Sequence, residues 1–245
     1  MAIFDGTIFS QQLKMMTSLY VLLPENDTRR DEEGNVPVLY LLHGLSDNHS
    51  CWVRRTNVER YAEEAGIAVV IPEVQRSFYT DMCYGLPYFR YVAQELPALC
   101  QRLFRVSAKR ENNMIAGLSM GGYGALKIAM TYPERFRAAA SFSGAVELTE
   151  FVDRKEPENV AIYGDAILPE NDLFGLTEAL ADTGKEKPEL YLTCGFSDFL
   201  YEENTHYRAL LDRVGYPYTY EEWEGGHEWD FWDASIKKAI AWLTK

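Results

Sequence analysis

The sequence lacks the features of several common protein classes. Only four of its 245 residues are cysteines, and none has the C-x-x-C spacing of a redox or zinc motif. Lysine and arginine total 24 against 37 aspartates and glutamates, for a formal charge of −13. Phosphate binding needs clustered cations, so nucleic acids and anionic membranes are not expected partners. No apolar run approaches the length of a membrane span.

The few cysteines and the first residues support further expectations. Cys51, Cys83, Cys100 and Cys194 are predicted to be free and mostly buried thiols, with pairing of Cys51 and Cys83 left open. No set of His, Cys and carboxylate residues has metal-ligand spacing, so no metal or other cofactor is predicted. Residues 1–6 do not resemble a secretory signal, and we expect a cytoplasmic protein.

The chain alternates apolar strand patterns with helical patterns. Its length and 47% hydrophobic content suit a single α/β domain, residues 1–245. The predicted strands cover residues 17–23, 37–42, 67–71, 113–116, 138–142, 189–193 and 218–223. The predicted helices cover residues 57–65, 88–104 with a kink at Pro97, 122–130, 202–214 and 231–243. This alternation predicts a doubly wound, mostly parallel sheet.

Two segments fall outside this alternation. Residues 24–35 are polar and predict a hairpin loop between the first two strands. Residues 147–188 are rich in Asp, Glu, Pro and Gly but also contain apolar side chains. They predict an insertion at the carboxyl edge of the sheet, where its apolar residues would pack as a cap over the active site. A surface excursion far from the site is the alternative.

The segment Gly117-Leu118-Ser119-Met120-Gly121 matches the G-x-S-x-G nucleophile elbow. A predicted strand precedes it and a predicted helix follows it, which is the context that this elbow requires. A serine held between strand and helix adopts strained backbone angles, and larger flanking residues would collide there. The sequence therefore identifies Ser119 as the candidate nucleophile.

The candidate base and acid follow the nucleophile in chain order. His227 lies after the last predicted strand, and Asp198 follows the strand before it, giving the order Ser, Asp, His of α/β-hydrolases. A buried carboxylate would orient the imidazole and stabilise its charged form. Glu202 and Glu203 are the nearest rivals for that role. The remaining histidines are assigned other roles: His43 is expected to brace a turn, and His49 and His206 to be solvated or structural.

An oxyanion also needs hydrogen-bond donors. The backbone N–H groups of Leu45, after a sharp turn at residues 43–44, and of Met120, directly after the nucleophile, are the candidates. Six side chains are candidates for the substrate pocket, several of them at loop edges: Trp52, Phe78, Tyr79, Trp229, Phe174 and Leu176.

Together these motifs resemble the putative esterase family, which includes esterase D, S-formylglutathione hydrolases, feruloyl and acetyl esterases and mycolyltransferases. Residues 40–45, 116–125, 141–144 and 225–229 carry the resemblance, and residues 55–60, 78–81 and 198–202 look closest to the bacterial tributyrin esterases. The resemblance implies an α/β-hydrolase fold and hydrolysis of short-chain acyl esters without a cofactor. S-formylglutathione hydrolases carry a longer segment where this chain has residues 72–78, so glutathione thioester hydrolysis is the second choice.

The predicted reaction is two-step acyl transfer from a small-molecule ester to Ser119 and then to water, with His227 as base. Hydroxycinnamoyl esters are further candidate substrates, and a homo-oligomer is possible. A catalytically silent domain used for binding is the alternative from another class. It would require the loss of a triad member, and all three candidates are present.

Overall fold

The computed structural model describes residues 1–25 and 29–245. Its eight strands form one sheet, in the order β1-β2-β4-β3-β5-β6-β7-β8. The strands are β1 (Ala2–Ser10), β2 (Met15–Leu23), β3 (Val38–Leu42), β4 (Ala68–Pro72), β5 (Asn113–Leu118), β6 (Ala138–Phe142), β7 (Glu189–Gly195) and β8 (Tyr218–Trp223). In this order, neighbouring strands from β4 to β8 run parallel to one another. Strand β2 pairs antiparallel with both β1 and β4. The predicted doubly wound, mostly parallel sheet is confirmed.

The first two connections differ from the prediction. Strand β1 was missed because it pairs only with β2 at the edge, and its mixed pattern, with Asp5 and Gly6 inside, gives no continuous apolar run. The predicted hairpin loop over residues 24–35 is wrong, because β4 lies between β2 and β3 in the sheet. Residues 26–28 of that segment lie outside the described residues.

Helices cover both faces of the sheet, as in doubly wound folds. They are α1 (Cys51–Arg55), α2 (Val58–Ala65), α3 (Tyr88–Arg90), α4 (Leu96–Phe104), α5 (Met120–Thr131), α6 (Thr149–Asp153), α7 (Pro157–Tyr163), α8 (Leu173–Ala181), α9 (Tyr201–Arg213) and α10 (Trp229–Leu243). Side chains of α4, α5, α8 and α9 pack on one face and those of α1, α2 and α10 on the other. Tyr40 and its neighbour Leu41 in β3 point to opposite layers. No helix among the described residues is long and apolar enough to span a bilayer.

A π-helical segment, Tyr91–Glu95, joins α3 to α4. Pro97 has no N–H to donate to the carbonyl of Ala93, which lies four residues earlier, so the regular helical bond cannot form there. The Arg135 guanidinium donates to the Ala93 carbonyl instead, at 2.9 Å. Instead of a kink at Pro97 itself, the helix contains this π-helical segment just before the proline.

All four cysteines are free thiols, as predicted, and Cys51 is not paired with Cys83. Cys100 and Cys194 are buried, but Cys83 is exposed and Cys51 is only half-buried. The expectation of mostly buried thiols holds for two of the four. Cys83 lies beside Gly164 of the insertion, whereas Cys100 belongs to the hydrophobic core and Cys194 to strand β7.

Candidate active site

Ser119 occupies the sharp turn between the end of β5 and the start of α5. Its backbone has φ 53° and ψ −118°, a strained conformation for a residue with a side chain. A Cβ on Gly117 would lie 2.3 Å from the Gly121 carbonyl oxygen, and one on Gly121 would lie 2.5 Å from that of Leu42. The packing therefore demands both glycines, and the strand-turn-helix context predicted for this motif is confirmed.

The surrounding backbone holds the Ser119 turn in place. The Ser119 N–H donates to the Phe142 carbonyl at 2.9 Å. The Ser119 carbonyl accepts hydrogen bonds from the Tyr123 and Ala145 N–H groups, both at 3.1 Å. A strain of this kind costs on the order of 1–3 kcal/mol and persists only where neighbouring contacts determine it. Here β6 and the residues that follow it supply those contacts.

Asp198 and His227 meet in the loops that follow β7 and β8. His227 Nδ1 lies 3.0 Å from Oδ2 and 3.1 Å from Oδ1 of Asp198. The loops are tied together, because the Ser197 N–H donates to the Gly225 carbonyl at 3.0 Å. A Cβ on Gly195 would lie 2.2 Å from that same carbonyl oxygen, so the close approach of the loops requires a glycine.

The Asp198 side chain is fully buried, with an exposed fraction of 0%. Burial alone would raise its pKa, but hydrogen bonds from His227, Ser143 and the Leu200 N–H outweigh burial and hold the pKa below its ordinary value. The Leu200 N–H donates to Oδ1 at 2.9 Å. The carboxylate is therefore ionised at neutral pH, as a group that stabilises an imidazolium must be.

The rival carboxylates face other partners. Glu203 accepts a hydrogen bond from the Glu147 N–H at 3.3 Å, and Glu202 lies 4.0 Å from His206. Burial, with the nearby charges of Glu147 and Glu150, raises the pKa of Glu203 to about 7. In the described part of the chain, neither rival has a hydrogen bond to His227, the residue whose Nδ1 faces Asp198.

Two aromatic rings flank the His227 imidazole. Trp232 meets it edge-on, with ring centroids 4.9 Å apart, and Phe199 lies against it at 4.5 Å. Since Nδ1 faces the carboxylate, Nε2 is the nitrogen available to a hydroxyl proton.

Ser119, Asp198 and His227 follow parallel strands, so all three lie at the carboxyl edge of the sheet. Phe199, which touches His227, also lines the cavity that contains Ser119.

The turn after β3 has the brace predicted for it. The His43 side chain is fully buried, with Nδ1–H donating to the Gly44 carbonyl at 2.8 Å and Nε2 accepting from the Val74 N–H at 3.2 Å. Burial lowers the pKa of His43 and favours the neutral ring that these bonds require. His49 lies 3.2 Å from Glu73 and is structural, and His206 is exposed beside Glu147.

Two backbone N–H groups beside Ser119 lack intramolecular acceptors in the described part of the chain. Met120 is the first residue of α5, so its N–H has no acceptor within the helix. Leu45 follows the braced turn and lines the same cavity as Ser119. These are the donors expected for an oxyanion, and that role stays a prediction.

A cavity of about 310 Å³ opens beside Ser119. Its lining combines apolar side chains with three carboxylates and one guanidinium: Leu45, Phe78, Ser119, Ala145, Glu147, Leu148, Glu150, Phe151, Arg154, Phe199, Leu200 and Glu203. The start of the insertion, residues 147–154, therefore forms part of the wall. That the insertion as a whole caps the site stays a prediction.

Only Phe78 of the six predicted pocket side chains lines this cavity. Trp52 and Tyr79 are fully buried, with their polar atoms bonded to the carbonyls of Leu42 and His43. Trp229 packs on Trp52 and Trp232.

The two pocket residues predicted from the insertion also lie elsewhere. Phe174 packs against Tyr207, with ring centroids 5.5 Å apart, and lines a separate cavity of about 180 Å³. Leu176 packs against the main hydrophobic core. The wall comes from the first helix of the insertion, so Phe151 takes the place predicted for these two.

Sequence reasoning did not assign Phe151, Phe199 or Leu148 to the pocket. Phe151 is one of the apolar residues of the insertion that the sequence predicts to pack as a cap over the site, but it is not among the six predicted pocket residues. Phe199 is 75% exposed and directly follows Asp198, so its position beside the candidate acid was the available signal. An exposed aromatic ring next to a catalytic loop is a usable clue to substrate contact.

The chain is similar to known esterases and serine hydrolases. A match to the family described as "Putative esterase" spans residues 10–243. An acetyl esterase of Caldicellulosiruptor saccharolyticus is 32% identical over 263 residues, covering 100% of this chain and 99% of that protein. Two Staphylococcus aureus structures are each 34% identical and cover 100% of this chain. They are fluorophosphonate-binding serine hydrolase F, with a TM-score of 0.92 over 98% of its length, and an S-formylglutathione hydrolase, with 0.90 over 99%.

Proposed function

The chain belongs to the putative esterase family, a family of serine hydrolases with the α/β-hydrolase fold, and from that premise we propose that it hydrolyses short-chain acyl esters through Ser119, His227 and Asp198. The contact of Asp198 with Nδ1 of His227, at the edge of the Ser119 cavity, carries the proposal. This contact holds the imidazole with Nε2 free to accept a proton.

The reaction proceeds in two acyl transfers. The Ser119 hydroxyl attacks the ester carbonyl carbon while His227 Nε2 takes the hydroxyl proton, and the N–H groups of Leu45 and Met120 bind the oxyanion that forms. Collapse of this intermediate breaks the bond to the alcohol, which leaves with the proton from His227. Water then attacks the acyl-enzyme in the same way, releasing the acid and restoring the serine.

The cavity supports a short acyl group. Its volume of about 310 Å³ is at the lower end of the range for small-molecule sites, and Phe78, Leu148 and Phe151 give it an apolar wall. Burying each methylene group there contributes about 0.8 kcal/mol until the cavity is full. We therefore expect activity to rise from acetyl to butyryl esters and to fall for longer chains.

Hydrolysis of S-formylglutathione is the second candidate, and the similarity to the Staphylococcus aureus hydrolase favours it. The charges in the cavity count against it. Glu147 and Glu150 already outnumber Arg154 without Glu203, whose pKa is raised to about 7, and glutathione carries a net negative charge at neutral pH. Like charges at close range disfavour binding, so neutral esters are the better match.

Labelling with a fluorophosphonate probe and a substrate panel test the proposal together. Stoichiometric labelling of the wild-type protein, lost in Ser119→Ala, is expected, together with a fall in hydrolysis on the order of 10⁴-fold or more. The panel contains p-nitrophenyl acetate, butyrate and hexanoate beside methyl ferulate and S-formylglutathione. Absence of labelling would favour a binding domain, and a tenfold preference for S-formylglutathione would favour the second candidate.

A further inference from the structure

Lys127 is a buried lysine in the middle of α5, the helix that begins directly after Ser119. Its side chain is 1% exposed. Nζ donates to Oδ1 of Asn171 at 2.6 Å and to the Tyr79 carbonyl at 3.3 Å, and it lies 4.6 Å from the centre of the Phe89 ring. Lysine is almost never fully buried without a specific partner, because removing the ammonium from water is costly. The proposed mechanism makes no use of this group.

The two oxygen partners of Lys127 belong to two different segments. Asn171 lies in the insertion, in the 3₁₀ turn Pro169–Asn171, and its backbone carbonyl accepts a hydrogen bond from the Tyr123 hydroxyl at 2.7 Å. Tyr79 belongs to the loop after β4, where Phe78 and Tyr79 have φ of 50° and 51°. Lys127 thus ties the insertion and a strained loop to one helix.

The strained loop carries one wall of the cavity. Phe78 lines the cavity and packs against Phe151 of the insertion, with ring centroids 4.7 Å apart. The Tyr79 hydroxyl donates to the His43 carbonyl at 2.9 Å, just before the turn that presents Leu45. The loop therefore carries part of the acyl wall and is hydrogen-bonded to the candidate oxyanion turn.

We propose that Lys127 is a positioning residue for the esterase reaction, which fixes the Phe78 wall and the insertion relative to Ser119 through the Tyr79 carbonyl and the Asn171 amide. The inference rests on the proposed role of Ser119. Burial lowers the pKa of Lys127 to about 7, against weaker opposing effects of Asp81 and Glu170. An amine donates hydrogen bonds in both charge states, so the anchor holds on either side of neutral pH.

Without the anchor, the Phe78 wall would lose its fixed distance from the nucleophile. Displacement of a substrate-positioning group by about 1 Å can cost about 100-fold in rate. The loss should fall on esters whose acyl chain reaches the wall and should spare acetyl esters. We expect the ratio of kcat/KM for p-nitrophenyl butyrate to that for the acetate to fall about tenfold in Lys127→Met.

The test compares Lys127→Met with Asn171→Leu and Asn171→Asp. Asn171→Leu removes the acceptor for Lys127 and should lower the butyrate-to-acetate ratio, as Lys127→Met does. Asn171→Asp keeps an acceptor oxygen at this position, so its ratio should stay close to that of the wild type. The double variant Lys127→Met/Asn171→Leu should lower the ratio little further than Lys127→Met does, because Lys127→Met already removes the bond to Asn171. Tyr216→Phe removes a buried hydrogen bond to the Pro188 carbonyl and is the matched control.

A purely structural role would lower the melting temperature of these variants and leave the butyrate-to-acetate ratio unchanged, as in the Tyr216→Phe control. A ratio within twofold of wild type in folded Lys127→Met and Asn171→Leu would overturn the inference. Where Lys127→Met does not fold, the two Asn171 variants decide the question. If Ser119→Ala hydrolyses esters at the wild-type rate, the proposed function is overturned, and this inference with it.

Discussion

Replacing Lys127 by Met should change how the stability of the protein depends on pH. In the folded protein, burial lowers the pKa of the Lys127 amine to about 7 from an ordinary value of 10.5. In the unfolded chain the amine is in water and titrates near the ordinary value. Methionine has a similar length and no charge, so it removes this titration and keeps most of the packing.

The sign follows from the numbers of protons bound. Between about pH 7 and pH 10.5 the unfolded chain binds the Lys127 proton and the folded protein does not, so the destabilisation caused by burying this group becomes smaller as pH rises. Below pH 7 both states carry the charge, and the full penalty of burying it applies. From pH 6 to pH 9 the wild-type protein should gain about 3 kcal/mol relative to Lys127→Met.

Urea unfolding at half-unit steps from pH 6 to pH 9 measures this difference, with intrinsic fluorescence as the signal. Glu203, whose pKa is raised to about 7, titrates in both proteins and cancels in the comparison. Only the change in the stability difference with pH matters, since the altered packing around Met shifts stability by the same amount at every pH. A difference that stays constant within about 0.5 kcal/mol, the usual size of a neutral substitution, would refute the assigned pKa and its cause.

Other substitutions test the site and the fold. Asp198→Asn should lower kcat by several powers of ten at similar KM, because asparagine cannot stabilise the imidazolium, whereas Glu202→Gln should not; the opposite result in steady-state kinetics would reassign the acid. Phe151→Ala should widen the cavity and raise kcat/KM for p-nitrophenyl hexanoate relative to the acetate, while Phe174→Ala should not, and equal profiles would contradict the assigned wall. Gly117→Ala should lower the midpoint of urea unfolding, because its Cβ would lie 2.3 Å from a backbone oxygen; an unchanged midpoint would show that the turn can relax.

Much of the catalytic edge was predictable because its determinants are local. The strained turn at Ser119 needs glycines two residues before and after it, and both stand in the sequence. Apolar runs identify the parallel strands, and the carboxyl ends of parallel strands share one edge of the sheet. The loops that contain Asp198 and His227 therefore had to meet near the turn. Their assignment as a triad with Ser119 stays a prediction.

The substrate pocket was less predictable because aromatic residues in loops look alike in sequence. Trp52 and Tyr79 turned out to be core residues, whereas Phe199 is largely exposed beside His227. Whether a ring lies in the core or in a cavity depends on which distant segments pack against it. Periodicity within one segment carries no such information.

The sequence alone determined the order of the parallel strands along the chain, the nucleophile turn and the candidate acid and base, because these follow from neighbouring residues and from the shared direction of strands. Only the tertiary structure decided that β4 separates β2 from β3, that Phe151 and not Phe174 forms the wall, and that Lys127 lies buried between a loop and the insertion. Those features arise from contacts between residues far apart in the chain, and they form only once the whole core has packed.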